Sequence, residues 1–245
     1  MLPAELDIDV LIRTAIKHFW KTREEQIDKQ GENDGTKDHG NRGAVTGGAQ
    51  LDGFIELAKK IFMDNRVPAN EIFDKDTTLP GFFRPTKDWD LLVVHSEQLV
   101  IAIEFKSQVG PSFGNNFNNR IEEALGSATD LWTAYREGTF PVLNKPWLGY
   151  FFLLEEHPRS VSPVKIHEPH YKVRKEFENS SYQNRYSIFC EKLMRERLYD
   201  AAAFLTSNLK TGKEGEYAEP IEQLQIKYFI KSMVAKIQSV YGCIT

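Results

Sequence analysis

A mixed α/β fold is predicted by three features of this chain. Its middle reads helix, three strands, helix, strand. The strand segments are short apolar runs bounded by polar turns. Amphipathic helical segments extend it at both ends. The 245 residues suffice for one large domain, and 41% hydrophobic with 27% charged residues is the balance of an ordinary globular protein with a sizeable core. We therefore expect one domain over 1–245, with a core at about 50–156 and helical additions at 1–30 and 181–245.

The elements follow in chain order. Residues 4–28 predict a long amphipathic helix with Leu6, Val10, Leu11, Ala15, Phe19 and Trp20 on its apolar stripe. Residues 31–49 are polar and Gly-rich, a composition that builds no core. A helix is expected near 51–64, with Phe54, Ile55, Ala58, Ile61 and Phe62 apolar, and a short strand near 71–74. Strands follow at about 90–94 and 99–107. The loop 108–118 then precedes a helix at about 119–136, capped by Asn118 or Asn119 and ended by Gly138. WLGYFFLLEE, 147–156, reads as a strongly apolar strand, and 157–180 as irregular. The remainder reads as helix, at about 182–208 in one or two pieces and again at 217–240.

Chemistry concentrates between Asp90 and Lys106. Side chains two apart on a strand share a face, so Glu104 and Lys106 project together and Phe105 points away. Two carboxylates and an ammonium at the edge of a buried sheet suit metal-dependent phosphodiester hydrolysis. A divalent ion lowers the pKa of the attacking water and neutralises developing charge, and Mg²⁺ prefers oxygen ligands. Asp90, Glu104 and the Phe105 carbonyl are the candidate metal ligands. Lys106 would orient or deprotonate the water, or stabilise charge on phosphorus. Asp52 and Glu56, four apart on one helix face, could hold a second metal, and Glu56 joins Asp90, Glu104 and Lys106 as a candidate catalytic residue. Asp88 is the fallback ligand.

Strand parity sets a condition on Asp90. A four-residue loop at 95–98 would place Asp90 opposite Ile103, off the face of Glu104. A bulge or a five-residue loop sets it opposite Glu104 instead. The site therefore requires such an irregularity, or an Asp90 just outside regular pairing.

The next segment, GPSFGNNFNNR (110–120), holds four asparagines and an arginine, more than a turn with a helix cap needs. Asn reads adenine and Arg reads guanine in the major groove, so Asn115, Asn116, Asn118, Asn119 and Arg120 are candidate DNA contacts. Arg84 and Lys87 flank the site and suit phosphates, and Arg42 lies in the Gly-rich segment that could fold around DNA. The formal charge of −4 excludes binding of nucleic acid through bulk positive charge, but not a local basic cleft, since screening acts over about 8–10 Å.

Other chemistries find no support. His167 and His170 have no ligand partner on a shared helix, and the acidic loop 31–40 lacks EF-hand spacing. Phosphate-binding P-loop, nucleophile-elbow and zinc-helix motifs are missing. Cys190 and Cys243 form no ligand spacing. With no apolar leader and no run approaching the roughly 18 residues of a membrane span, a cytoplasmic location without membrane attachment is expected.

Three blocks, RGAVTGGAQLDGF (42–54), TLPGFFRPTKDWDLLV (78–93) and IEFKSQVGPSFGNNFNNRIEEALGSATDL (103–131), with SYQNRY at 181–186, closely resemble XhoI-type type II restriction endonucleases over nearly the whole chain. The resemblance implies a PD-(D/E)XK nuclease core of mixed sheet flanked by helices, Mg²⁺ dependence, and a homodimer acting on palindromic double-stranded DNA. It implies recognition of CTCGAG, cut after the first C to leave four-nucleotide 5′ overhangs. It also implies a cognate DNA methyltransferase in the same restriction-modification system, with no stable complex. By motif, Asp90 is the lone acid, Glu104 the paired acid and Lys106 the lysine. The family's proline before the first acid is replaced here by Trp89, with Pro85 upstream. A sequence-independent repair nuclease of the same fold, and a DNA-binding protein without catalysis, are the alternative readings. The late helices are candidates for the dimer interface.

Overall fold

A computed structural model describes residues 7–31, 48–141 and 144–242, with side chains of the first helix to Ile27. One five-stranded sheet organises it, in the order β1-β4-β5-β6-β7. The strands are β1 (Ile72–Phe73), β4 (Leu91–His95), β5 (Gln98–Gln108), β6 (Trp147–Glu155) and β7 (Ala201–Ser207). The first three are antiparallel and the last three parallel, which makes the sheet mixed. A separate hairpin, β2 (Thr78–Pro80) and β3 (Thr86–Asp88), precedes β4.

Side-chain alternation along β5 to β7 divides the core between the two faces of the sheet. Ile101, Ile103, Phe105, Phe151, Leu153, Ala203 and Leu205 join one cluster. It is covered by α1 (Ile8–Gly31), α2 (Asp52–Asp64) and α5 (Ile226–Tyr241). Ala102, Leu148, Tyr150, Phe152, Leu154, Ala202 and Phe204 join the other, beneath α3 (Phe113–Arg136) and α4 (Tyr182–Arg195). Each large side chain buried this way contributes about 1.5–3 kcal/mol. The architecture is compatible with the expected nuclease core: a mixed sheet flanked by helices, with further helices at both ends.

Most expected elements form, with informative shifts. On α1 the buried stripe is Ile12, Ala15, Ile16, Phe19 and Trp20, while Val10 is exposed. The sequence pattern tolerates that rotation because apolar residues lie at several registers. On α2, Leu57 rather than Ile55 completes the buried set. The helix expected at about 119–136 begins six residues earlier, at Phe113, and Ser112 precedes it without a side-chain cap. The Asn-rich segment is thus the opening of α3 rather than a loop. Phe113 and Phe117, one turn apart and both buried, draw these turns onto the core. Gly138 follows the helix end at a positive φ, as expected.

The helix expected over about 182–208 is corrected. It ends at Arg195, and Ala201–Ser207 form β7, parallel to β6 and buried at every position. A strand covered on both faces shows no alternation, and three alanines mimic a helix by propensity. The region expected as helix from 217 instead starts irregularly, with Ala218 bridging Thr206, and helix begins only at Ile226. Ser181 and Asn184 form a reciprocal capping box that starts α4. Burial pushes the Cys190 thiol well up, so it behaves as an inert core residue; Cys243 lies outside the described residues. Among the described residues no helix is long and apolar enough to cross a membrane.

Candidate active site

The β4–β5 register settles the parity condition. Ser96 and Glu97, both at positive φ, make a two-residue turn between His95 and Gln98. The pairing then shifts between Val93 and Val94, leaving Val100 as the extra residue, and Leu91 pairs with Ile103. Continuing that register by one step sets Asp90 opposite Glu104. Asp90 lies just outside the strand, its N–H reaching the Ile103 carbonyl at 3.3 Å. From Glu104 to Gln108, β5 pairs with β6 on one side and has no β4 partner on the other. The strands part there, and an opening of about 450 Å³ forms, lined in part by Asp52, Asp74, Asp90, Phe105, Lys106 and Arg120.

Four charged side chains and a phenol meet at this edge. Asp90 Oδ2 accepts from the Phe105 N–H at 2.7 Å and lies 3.7 Å from Lys106 Nζ. Lys106 Nζ is 3.0 Å from Glu104 Oε1, and Lys87 Nζ approaches the same oxygen at 3.3 Å. Lys87 also lies 4.6 Å from the Trp89 ring centre and donates to the Asp88 carbonyl. The Tyr199 hydroxyl is 3.1 Å from Glu104 Oε2. Glu104 is almost fully buried, whereas a third of the Asp90 side chain is exposed.

The pKa values of the two carboxylates shift in opposite directions. Burial would raise both. At Asp90 burial wins over Lys106 and the Phe105 N–H, and the pKa rises. At Glu104 the paired ammoniums of Lys106 and Lys87 outweigh burial, and the pKa falls. Lys106 moves up: burial opposes its charge, but Glu104 and Asp90 prevail, so it is held as an ammonium.

The remaining expected residues are dispersed. Glu56 is ion-paired with Lys59, which also binds Asp74, and is not among the residues lining the opening; Asp52, one turn earlier, lines it. Burial raises the Asp52 pKa. Asp88 accepts from the Thr78 hydroxyl, away from the acid pair. Asn115, Asn118 and Asn119 are exposed on the first turns of α3, and Asn116 is half-buried. Arg120 lines the opening and pairs with Glu123 at 2.5 Å. Arg84 binds Asp130 on α3 at 2.8 Å, a tertiary clamp rather than a free phosphate contact. Lys87 sits inside the site rather than beside it. Arg42 lies outside the described residues.

Tyr199 was not legible as a site residue. It lies 95 positions from Glu104, just before the strand that reads as helix. Among the described residues no three acidic, His or Cys side chains cluster as ligands. Even so, two carboxylates opposite each other beside a partly open cavity, with the Phe105 backbone between them, make an oxygen-rich donor set that fits Mg²⁺ with water completing its shell.

Comparison with known proteins agrees with this chemistry. A sequence model described as restriction endonuclease XhoI matches residues 29–219. The chain is 48% identical over 207 residues to the type II restriction enzyme BstVI of Geobacillus stearothermophilus, covering 82% of this chain and 92% of that protein. It is 42% identical over 192 residues to the type II restriction enzyme XhoI of Xanthomonas vasicola, covering 77% and 76%. It is 47% identical over 168 residues to the type II restriction enzyme AbrI of Azospirillum brasilense, covering 68% and 75%. No solved structure matches the chain. Restriction enzymes act on double-stranded DNA and generally need a divalent metal ion. With a family match over most of its length and three such relatives, the chain belongs to the XhoI restriction endonuclease family, whose members are site-specific deoxyribonucleases.

Proposed function

We propose that this restriction endonuclease is a Mg²⁺-dependent homodimer that cuts CTCGAG after the first C, leaving four-nucleotide 5′ overhangs. The observation that carries the catalytic part is the placement of Asp90 opposite Glu104, with Lys106 Nζ 3.7 Å and 3.0 Å from their oxygens. Asp90, Glu104 and the Phe105 carbonyl would hold the metal, which supplies a water of lowered pKa and offsets charge on the phosphorus. Lys106, held as an ammonium, donates to that water or to a phosphate oxygen; it is a weak proton acceptor in this state. Asn115, Asn116, Asn118, Asn119 and Arg120 carry amide and guanidinium groups on the first turns of α3, Arg120 lining the opening, and are our candidates for base reading. A two-fold dimer suits a palindrome because each subunit offers one surface to one half-site. The whole chain then acts as one endonuclease unit in the cytoplasm, with host DNA protected by a cognate methyltransferase.

The test is digestion of duplexes with and without CTCGAG, in Mg²⁺ and in EDTA. Cutting confined to the CTCGAG duplex, dependent on Mg²⁺ and abolished in Lys106→Ala, is expected. Equal cutting of both duplexes overturns the specificity, and full activity of Lys106→Ala overturns the site.

A further inference from the structure

The hairpin that precedes Asp90 ends in two solvent-exposed phenylalanines. Phe82 is 50% and Phe83 70% exposed, and their rings meet edge to face at 4.9 Å. Exposed aromatic pairs of this kind forfeit the favourable free energy of burial. Yet the backbone that carries them is firmly fixed. Asp130, 6% exposed on α3, accepts from the Phe82 N–H at 2.8 Å and the Phe83 N–H at 2.7 Å through Oδ1, and from Arg84 Nε at 2.8 Å through Oδ2. The Gly81 N–H donates to the Pro85 carbonyl, closing the tip. A Cβ on Gly81 would collide with the Asp130 carboxylate and the Arg84 carbonyl, so only glycine lets the loop seat on that acid. The base of the hairpin is tied as well, by the Trp89 N–H to the Thr77 carbonyl. A nearly buried carboxylate thus holds two phenyl rings away from the core.

We propose that the Phe82–Phe83 tip is a DNA wedge: it packs against, or inserts between, base pairs of the substrate beside the cut site. This rests on the reading of Asp90, Glu104 and Lys106 as the cutting site. Three observations favour a duplex as the occupant. First, the same hairpin enters that site: Lys87 on β3 reaches Glu104 at 3.3 Å, and β3 runs directly into Trp89 and Asp90. Phe83 and Asp90 are only seven positions apart, at most about 25 Å of extended chain. Secondly, the clamp sits on α3, ten residues beyond Arg120, which lines the opening. That is roughly 15 Å along the helix axis, or about four to five base pairs at 3.4 Å each, so DNA held at the opening lies within reach of the tip. Thirdly, at their 50% and 70% exposures the two side chains offer roughly 180–300 Å², well under the roughly 800 Å² per partner of a stable protein interface, but enough to stack on a base step. Phenylalanine is among the side chains used to unstack and kink a duplex in this way.

The experiment compares wild type with Phe82→Ala/Phe83→Ala on a CTCGAG duplex in EDTA, where cutting is suspended, with 2-aminopurine placed along and just beyond the site. Wild type should bind and brighten the probe at one step. The double variant should bind about 10–100-fold more weakly and leave the probe quenched, and Phe82→Trp/Phe83→Trp should restore both. Near-UV circular dichroism verifies that the variants fold. Unchanged affinity and probe signal in the folded double variant overturn the wedge. Conversion of a wild-type dimer to a monomer by the alanines, seen by sedimentation, also overturns it, since the tip would then be a subunit contact. Failure of wild type itself to distinguish CTCGAG from a scrambled duplex counts against the proposed specificity, whereas loss of the wedge effect alone leaves that specificity standing.

Discussion

Tyr199 holds Glu104 from across the core: its hydroxyl lies 3.1 Å from Glu104 Oε2 and 3.2 Å from the Ala124 carbonyl, and the phenol is fully buried. One hydroxyl proton serves these two acceptors, so α3 and the acid compete for it. Burial and the neighbouring Glu104 charge keep the phenol protonated and raise its pKa well above ordinary. Tyr199 is therefore a positioning residue that fixes which way Glu104 presents its free lone pairs. Tyr199→Phe should lower kcat about 10-fold with KM little changed. It should cost about 1.5–3 kcal/mol of stability, the worth of a hydrogen bond to a charged acceptor. Because the Tyr199 bond helps depress the Glu104 pKa, the acid limb of the kcat profile should also move up. A kcat profile identical to wild type would show that Tyr199 only fills space.

Lys87 and Lys106 both face Glu104 Oε1, so without metal the site balances two ammoniums against the charges of Asp90 and Glu104. A divalent ion entering this balanced site is repelled by both ammoniums. Lys87→Met should therefore tighten Mg²⁺ binding to the DNA-free protein several-fold, read from Trp89 fluorescence, since Lys87 also stacks on that ring. Lys106→Met should abolish cleavage, at least about 100-fold, while leaving DNA affinity in EDTA within a few-fold of wild type. Weaker metal binding in Lys87→Met would show that the lysine supports the ion instead.

The acid pair predicts opposite responses to pH. Asp90 has a folded pKa raised above its ordinary 3.8, so the folded state binds more protons and stability falls as pH rises through that window. Asp90→Asn should consequently be more stable than wild type at pH 7, with the gain vanishing below about pH 4. Glu104 has a folded pKa below its ordinary 4.5, so its contribution is present above that value and is lost as pH falls through the folded pKa. Glu104→Gln should be less stable than wild type at pH 7, since two ammoniums then face a neutral amide. Urea unfolding of both variants at pH 7 and at pH 3.5 measures this. The same sign for both at pH 7 would contradict the assignment.

How far the site could be read from the chain depends on separation along it. Glu104 and Lys106 share a face by strand periodicity alone, and the requirement for an irregular β4–β5 pairing follows from parity; the bulge beside Val94 meets it. Those are local facts. Tyr199 and Asp130 act through tertiary contacts 95 and 46 residues away from Glu104 and Arg84, and no local pattern signals them. Arg84 reads as a phosphate ligand until the fold shows Asp130 beneath it. Lys87 reads as a flank because the hairpin that folds it inward is only three residues on each side. β7 reads as helix because burial on both faces erases the period that separates strand from helix.

The close packing around β6 gives a stability prediction independent of the chemistry. Gly149 pairs with Ile103 on one side and Ala201 on the other, on the middle strand of the three parallel ones and near its start. A Cβ there would stand 2.5 Å from the Trp147 ring and 2.9 Å from Phe229, which themselves pack edge to face at 5.2 Å. Both rings are buried, and Trp147 Nε1 is fixed by a hydrogen bond to the Ser232 hydroxyl, so neither can retreat without breaking contact with α5. Gly149→Ala should cost about 1–3 kcal/mol, visible as a lower urea midpoint with an unchanged m-value. Phe229→Leu should ease the clash, so the double variant should lose less than the sum of the two single losses. Strict additivity would mean that the collision is relieved by movement of β6 instead.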